Sequence, residues 1–102
     1  MTTTFVNPLV VPAEREKEFL EKWDRGAEYV RRQTGFISTS LHRSVTDGSR
    51  FQYFTVARWE SREAFSRATA SDWWMQYVRD FGFSDEVGGF QAFPAVCEQV
   101  RE

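Results

Sequence analysis

Few residues in this 102-residue chain have both the type and the setting for chemistry. His42 is the only histidine, and imidazole is the side chain whose ordinary pKa lies near neutrality, so it is the natural general base for a phenolic or α-carbonyl proton. The plain alternative is a hydrogen-bonded strand histidine. Trp59 could stack on a flat aromatic ring while its indole N–H donates to an oxygen, against simple core packing at a strand end. Ser38, Ser40 and Thr55 offer hydroxyls, but a hydrolase also needs an orienting acid and an oxyanion hole, and no motif indicates either. A single histidine excludes a 2-His-1-carboxylate metal site within one chain, and Gly88-Gly89 does not lead from a strand into a helix as a phosphate cradle would. Neither a metal nor a nucleotide is expected. Cys97, the sole cysteine, can form no internal disulfide, zinc knuckle or Cys-x-x-Cys redox pair.

The elements that must position these groups follow from patterning. Residues 4–11 are rich in β-branched and aromatic side chains and read as a strand ending at Pro12, which suits the first position of a helix. Over residues 13–33, Phe19, Leu20, Trp23, Ala27 and Val30 recur at helical spacing, with Glu18/Lys22, Glu21/Arg25 and Glu28/Arg32 pairs on the other side. That helix stops near Gly35. Residues 36–44 and 50–59 are extended runs around Thr46-Asp47-Gly48-Ser49, where Asp-Gly signals a tight hairpin. Ser61 and Ser71 can cap two short helices, residues 62–69 and residue 72 to Gly82, the second carrying the stripe Trp73, Trp74, Tyr77, Val78 and Phe81. A last strand is expected over residues 95–100. The order β-α-β-β-α-β is the ferredoxin-like arrangement of an α+β fold: a four-stranded antiparallel sheet with helices on one face.

If Thr46 lies opposite Ser49, then His42 faces Tyr53, Ser40 faces Thr55, Ser38 faces Ala57 and Phe36 faces Trp59. This predicts one sheet face with Phe36, Ser38, Ser40, His42, Phe51, Tyr53, Thr55, Ala57 and Trp59, mixed hydroxyls and rings suited to a cavity wall. The reverse face would carry Ile37, Thr39, Leu41, Gln52, Phe54 and Val56, suited to an interface. Trp73, Trp74 and Tyr77 would close the cavity from the helix side.

Composition narrows the partners. Aromatic residues make up 17% of the chain, enough to line a core or a ligand cavity with rings and to favour self-association. A net charge of -2 and a pI near 5.5 give no reason to expect nucleic acid or an anionic membrane. The N-terminal residues lack a signal peptide's basic and apolar regions, and no stretch is long and apolar enough to span a bilayer, so a cytoplasmic, single-domain protein over residues 1–102 is expected.

Four stretches carry a family resemblance: Phe5-Val6-Asn7-Pro8, Glu18-Phe19-Leu20-Glu21-Lys22-Trp23, Gly35-Phe36-Ile37-Ser38 and Trp59-Glu60-Ser61-Arg62-Glu63-Ala64-Phe65. With the element order, over roughly residues 5–81, they make the chain similar to the antibiotic biosynthesis monooxygenases, small dimeric α+β barrel proteins that include anthrone oxygenases and have haem-degrading relatives. The resemblance implies a homodimer. Trp59 matches the strand-three Trp of the anthrone oxygenases and His42 their strand-two His, whereas Thr55 stands where they have a pocket Asn and Phe65 where they have a pocket Tyr. Asn7 matches the pocket Asn of the haem-degrading relatives and offers an amide to a carbonyl or peroxide. Their helical Trp and axial His fall near Ala68 and Val78, so iron would lack a ligand.

The expectation is a cofactor-independent monooxygenase that oxidises a polycyclic phenol or anthrone-type polyketide with dioxygen, the deprotonated substrate supplying the electrons. His42, Asn7 and Trp59 would be catalytic; Phe36, Ser40, Tyr53, Thr55, Phe65, Trp73, Trp74 and Tyr77 would contact a small aromatic substrate. No haem, flavin or metal is expected. A non-oxidative cyclase, isomerase or ligand-binding protein would use the same cavity. An RNA recognition module shares the strand order, with Phe5, Phe51 and Tyr53 as stacking rings, but lacks its glycines and its basic charge.

Overall fold

Pro12 does not open the first helix directly. In the structure, a computed structural model describing residues 2–102, strand β1 (Thr3–Val10) leads through Pro12 into a 3-10 turn, Ala13–Arg15, whose Arg15 N–H donates to the Pro12 carbonyl at 2.9 Å. Helix α1 (Glu16–Arg31) then buries Phe19, Ala27 and Val30 of the stripe its spacing predicted, together with Gly26, and leaves Leu20 and Trp23 partly buried against the core. Strands β2 (Phe36–Arg43) and β3 (Tyr53–Trp59) follow, then helices α2 (Arg62–Thr69) and α3 (Asp72–Phe81). Ser61 and Ser71 accept the N–H groups of Ala64 and Trp74, each at 3.1 Å. Such a cap contributes ~1 kcal/mol and explains why the helical region breaks between Thr69 and Asp72. Gly82, at φ +85°, ends α3 in the left-handed conformation that glycine adopts without strain.

The sheet is antiparallel in the order β2-β3-β1, and its last position beside β1 is shared by two short pieces, β4 (Gln91–Ala92) and β5 (Ala95–Glu98). The final strand is thus shorter than residues 95–100, and β4, only two residues long, has too few positions to show a period. The helices cover one face, making the ferredoxin-like α+β fold that the element order implied.

The β2–β3 register corrects the expected faces. Phe36 does pair with Trp59, but a bulge at Ile37 advances β2 by one residue, so Ser38 pairs with Arg58, Ser40 with Val56 and His42 with Phe54. The cause lies at the other end of the hairpin. The turn forms where expected, Ser49 N–H donating to the Thr46 carbonyl at 3.3 Å, but Arg50 and Phe51 fall outside the ladder and Ser44 N–H reaches the Gln52 carbonyl instead. Gln52 is captured by β1: its N–H donates to Leu9, and its Oε1 accepts from Val11 at 2.8 Å. One extra residue on one side of a loop exchanges the faces of the partner strand. Thr39 and Leu41 therefore point to the helices, and Ser38, Ser40 and His42 to the open side.

On the inner face, Thr3, Phe5, Asn7 and Leu9 oppose Trp59, Ala57, Thr55 and Tyr53. Two buried clusters form there. One gathers Leu9, Val11, Phe19, Tyr53, Tyr77, Phe81 and Phe90; the other gathers Val30, Ala57, Trp59, Ala64 and Ala68. Phe5 and Tyr53 face the helices, so two of the three rings that an RNA recognition module would use are absent from the open face, where Phe51 instead packs edge-on against Phe54 and Phe93.

Candidate active site

Between the two clusters, under the helices, lies a cavity of about 450 Å³. Its walls are rings: Phe5, Phe19, Trp23, Trp59, Phe65, Trp74, Tyr77 and Phe81. Phe65 lies over Phe5 with ring centroids 5.3 Å apart and meets Trp59 edge-on at 5.8 Å. Val78 and Val96, 39% and 47% exposed, mark the rim. Among the described residues, no charged side chain lines the cavity.

Its polar groups are few, and only some of their donors are already engaged. Tyr77 O–H donates to the Lys22 carbonyl at 2.6 Å, and burial pushes its phenol well above the ordinary range, so it stays protonated. Thr69 donates to the Phe65 carbonyl at 2.9 Å. Trp23 Nε1–H donates to Thr55 Oγ1 at 2.9 Å. Asn7 Oδ1 accepts from Phe93 N–H at 3.1 Å, a donor shared with the Pro8 carbonyl; since a peptide N–H must meet the oxygen, the Asn7 NH2 is left as a free double donor. The indole N–H groups of Trp59 and Trp74 meet no acceptor among the described residues. Apart from the Thr39 hydroxyl, which can donate or accept, what the cavity can offer a ligand is therefore mostly hydrogen-bond donation. Two of those donors, on Asn7 and Thr55, stand on residues paired across β1 and β3.

The structure brings Asn7, Thr55, Trp59, Phe65, Trp74 and Tyr77 to this cavity. It does not bring the others. His42 is exposed on the opposite face, its Nε2 2.9 Å from Ser40 Oγ, because of the one-residue register advance beyond Ile37. Phe36 packs edge-on behind Trp59 at 5.4 Å. Tyr53 sits in the neighbouring cluster, its hydroxyl donating to Glu16 and accepting from Arg43; the Tyr53 hydrogen bond first, and Arg43 after it, hold the Glu16 carboxyl below its ordinary value. Trp73, 45% exposed, points out of the cavity and stacks between Tyr29 (4.2 Å) and Tyr77 (5.3 Å), since neighbouring helix positions diverge by about 100°. Trp23 belonged to the apolar stripe of α1 in the sequence; its role as a donor to Thr55 depends on a register that no spacing reveals.

Residues 4–80 match the model of the family described as antibiotic biosynthesis monooxygenase. The chain belongs to that family. A candidate monooxygenase from Shewanella loihica PV-4 is 28% identical, with a TM-score of 0.80 over 99% of this chain and 96% of that one. A mutant of SnoaB, a cofactor-independent oxygenase from Streptomyces nogalater, is 23% identical, with a TM-score of 0.80 over 99% and 95%. The haem-degrading protein Rv3592 from Mycobacterium tuberculosis is 24% identical, with a TM-score of 0.67 over 100% and 98%. No match to a curated protein was found. Membership of the antibiotic biosynthesis monooxygenase family supports a monooxygenase-type function. The donor set fits haem poorly: no imidazole or thiolate lines the cavity, and its one phenol is held by the Lys22 carbonyl. Among the described residues, no helix is long and apolar enough to cross a membrane.

Proposed function

We propose that the protein oxidises a polycyclic phenol or anthrone-type polyketide with dioxygen, without a bound cofactor. The observation that carries this reading is a ring-walled cavity with no charged lining and several free hydrogen-bond donors. A flat substrate stacks on the rings, and Asn7, Thr55 and Trp59 donate to its carbonyl or phenolic oxygen. Donation to that oxygen stabilises the conjugate anion more than the neutral molecule, so the bound substrate becomes more acidic and releases its proton to water at the rim. The carbanion passes one electron to dioxygen, and the radical pair closes a C–O bond to give a substrate peroxide. As the second proton leaves that carbon, the O–O bond breaks, so CH2 and O2 become C=O and H2O. The protein binds, acidifies and excludes bulk solvent; the substrate supplies the electrons. In this reading the protein acts as a homodimer whose copies meet through the open sheet face, where Val6, Pro8, Phe54 and Val56 are half-buried in the single chain.

The experiment is oxygen uptake with anthrone and 1,8-dihydroxyanthrone. Stoichiometric uptake with conversion to the quinone is expected, Asn7→Ala and Trp59→Ala should reduce it, and His42→Ala should leave kcat/KM within about twofold because His42 lies outside the cavity. The rate should rise with pH along one limb set by the bound substrate. Undetectable uptake with tight binding would favour ligand binding or non-oxidative chemistry, and an acid limb that vanishes in His42→Ala would overturn the proton path.

A further inference from the structure

We infer that Trp23 is a positioning residue that turns the Thr55 hydroxyl into a directed donor and so selects ligands bearing a carbonyl or phenolate oxygen. This rests on the reading of the cavity as a site for oxygenated aromatic molecules.

Thr55 sits in the middle of β3, paired on one side with Asn7 and on the other with Leu41, and is 8% exposed. A buried hydroxyl in that setting has one proton and two lone pairs to place. Left alone, the proton can rotate to any acceptor, and the group can receive a ligand donor as readily as it gives to a ligand acceptor. Trp23, reaching down from α1 across 32 residues of sequence, removes that freedom: its indole N–H can only donate, and it occupies a lone pair of Oγ1 at 2.9 Å. The Thr55 proton must avoid the indole hydrogen and finds no protein acceptor among the described residues, so it is held for a ligand. The indole also polarises the hydroxyl, strengthening its donation in a surrounding of low dielectric. Across the strand pair the same logic operates on Asn7, whose oxygen is occupied by Phe93 N–H and whose NH2 is left over. Two neighbouring groups that could each accept are both turned into donors by partners that can only donate.

The test uses the intact protein and four forms, wild type, Trp23→Phe, Thr55→Val and the double variant, titrated by tryptophan fluorescence with two flat tricyclic probes: anthraquinone, which has oxygen acceptors, and anthracene, which has none. The expected result is that each single variant weakens anthraquinone about five- to tenfold, as loss of one buried hydrogen bond implies. Anthracene binding should stay within about twofold, and the double variant should be no weaker than Thr55→Val alone. Equal losses for both probes, additive losses, or wild-type affinity in Trp23→Phe overturn the inference while leaving the cavity reading intact. Failure of the wild type to bind either probe overturns the cavity reading and this inference with it. The indole N–H resonance of Trp23 in the ligand-free protein reads the pair independently: it should move upfield in Thr55→Val and stay near its wild-type position in Thr55→Ser, and no movement in Thr55→Val refutes the hydrogen bond.

Discussion

Gly26→Ala is a substitution for which helix propensity and packing predict opposite signs. Gly26 lies inside α1, where replacing glycine by alanine ordinarily stabilises by ~1 kcal/mol. Here a methyl group would lie 2.4 Å from the Tyr77 hydroxyl oxygen and 2.6 Å from its ring, so the phenol must retreat by about 1 Å to reach ordinary contact at 3.4 Å. Tyr77 can retreat only into the cavity it lines, and only by giving up contacts: it is 8% exposed, stacked on Trp73, wedged against Trp74 and Phe81, and bonded to the Lys22 carbonyl. Overpacking costs ~1–3 kcal/mol and loss of the phenol hydrogen bond ~1 kcal/mol, which together exceed the propensity gain. The net expectation is destabilisation by ~1–3 kcal/mol, or a fall in Tm of roughly 5–20 °C for a domain of this size. Thermal unfolding followed by circular dichroism measures it, and anthraquinone titration should show weaker binding as the ring is pushed into the cavity. In a Tyr77→Leu background the same Gly26→Ala should become stabilising by ~1 kcal/mol, since only the propensity gain remains. A raised Tm in the single variant, or the same sign in both backgrounds, would refute the close-packing argument.

The register makes a second, sharper contrast: Leu41→Asp puts a charge among the inward core contacts and should cost ~3 kcal/mol or more in urea unfolding, whereas Ser40→Asp, one residue away on the open face beside Val56, should change the stability of the dissociated protomer, measured at high dilution, by less than ~0.5 kcal/mol. Equal effects would mean the faces are misassigned. Glu18 is held at about 2, below its reference of 4.5, chiefly by hydrogen bonds from Arg15 and then Lys22. Its stabilising contribution is present above pH 4.5 and lost as pH falls towards 2, so Glu18→Gln should flatten the acid limb of Tm over that window; parallel curves would contradict the pairing. Val56→Asp should dissociate the proposed homodimer in sedimentation at micromolar concentration, and an unchanged sedimentation coefficient would move the interface elsewhere.

Much of this molecule was legible before its coordinates. Strong local signals fixed the elements: the stripe from Phe19 to Val30, the caps at Ser61 and Ser71, the turn at Asp47-Gly48 and the α3 stop at Gly82. On β3, Thr55 and Trp59 alternate correctly towards the helices because their strand is held on both sides. The β2 residues misled because face is a parity, and parity depends on whether Arg50 and Phe51 stay in the ladder. That is decided by Gln52 reaching Leu9 and Val11, contacts more than forty positions away. Trp73 and Trp74 illustrate the same limit on a helix, where adjacency in sequence hides divergence in direction. The Trp23–Thr55 bond needs both an element position and a strand parity, so it could not be read from either alone.

The bulge at Ile37 makes hairpin length a control over chemistry. Because inner and outer residues alternate, the span from Ser38 to Arg43 behaves as a reading frame with two phases; the pairing set at the hairpin end selects the one that turns Thr39 and Leu41 towards the helices and leaves the imidazole outside, and the extra residue at Ile37 absorbs the mismatch with Phe36. Removing Ile37 would leave His42 outside, whereas a change in the loop between Ser44 and Gln52 that shifts the pairing by one residue would select the other phase and turn His42 inward, introducing an acid–base group where the native arrangement has none. In this fold the route from a solvent-assisted site to one with its own base is an insertion or deletion in the hairpin loop, a class of change that substitution scanning never samples.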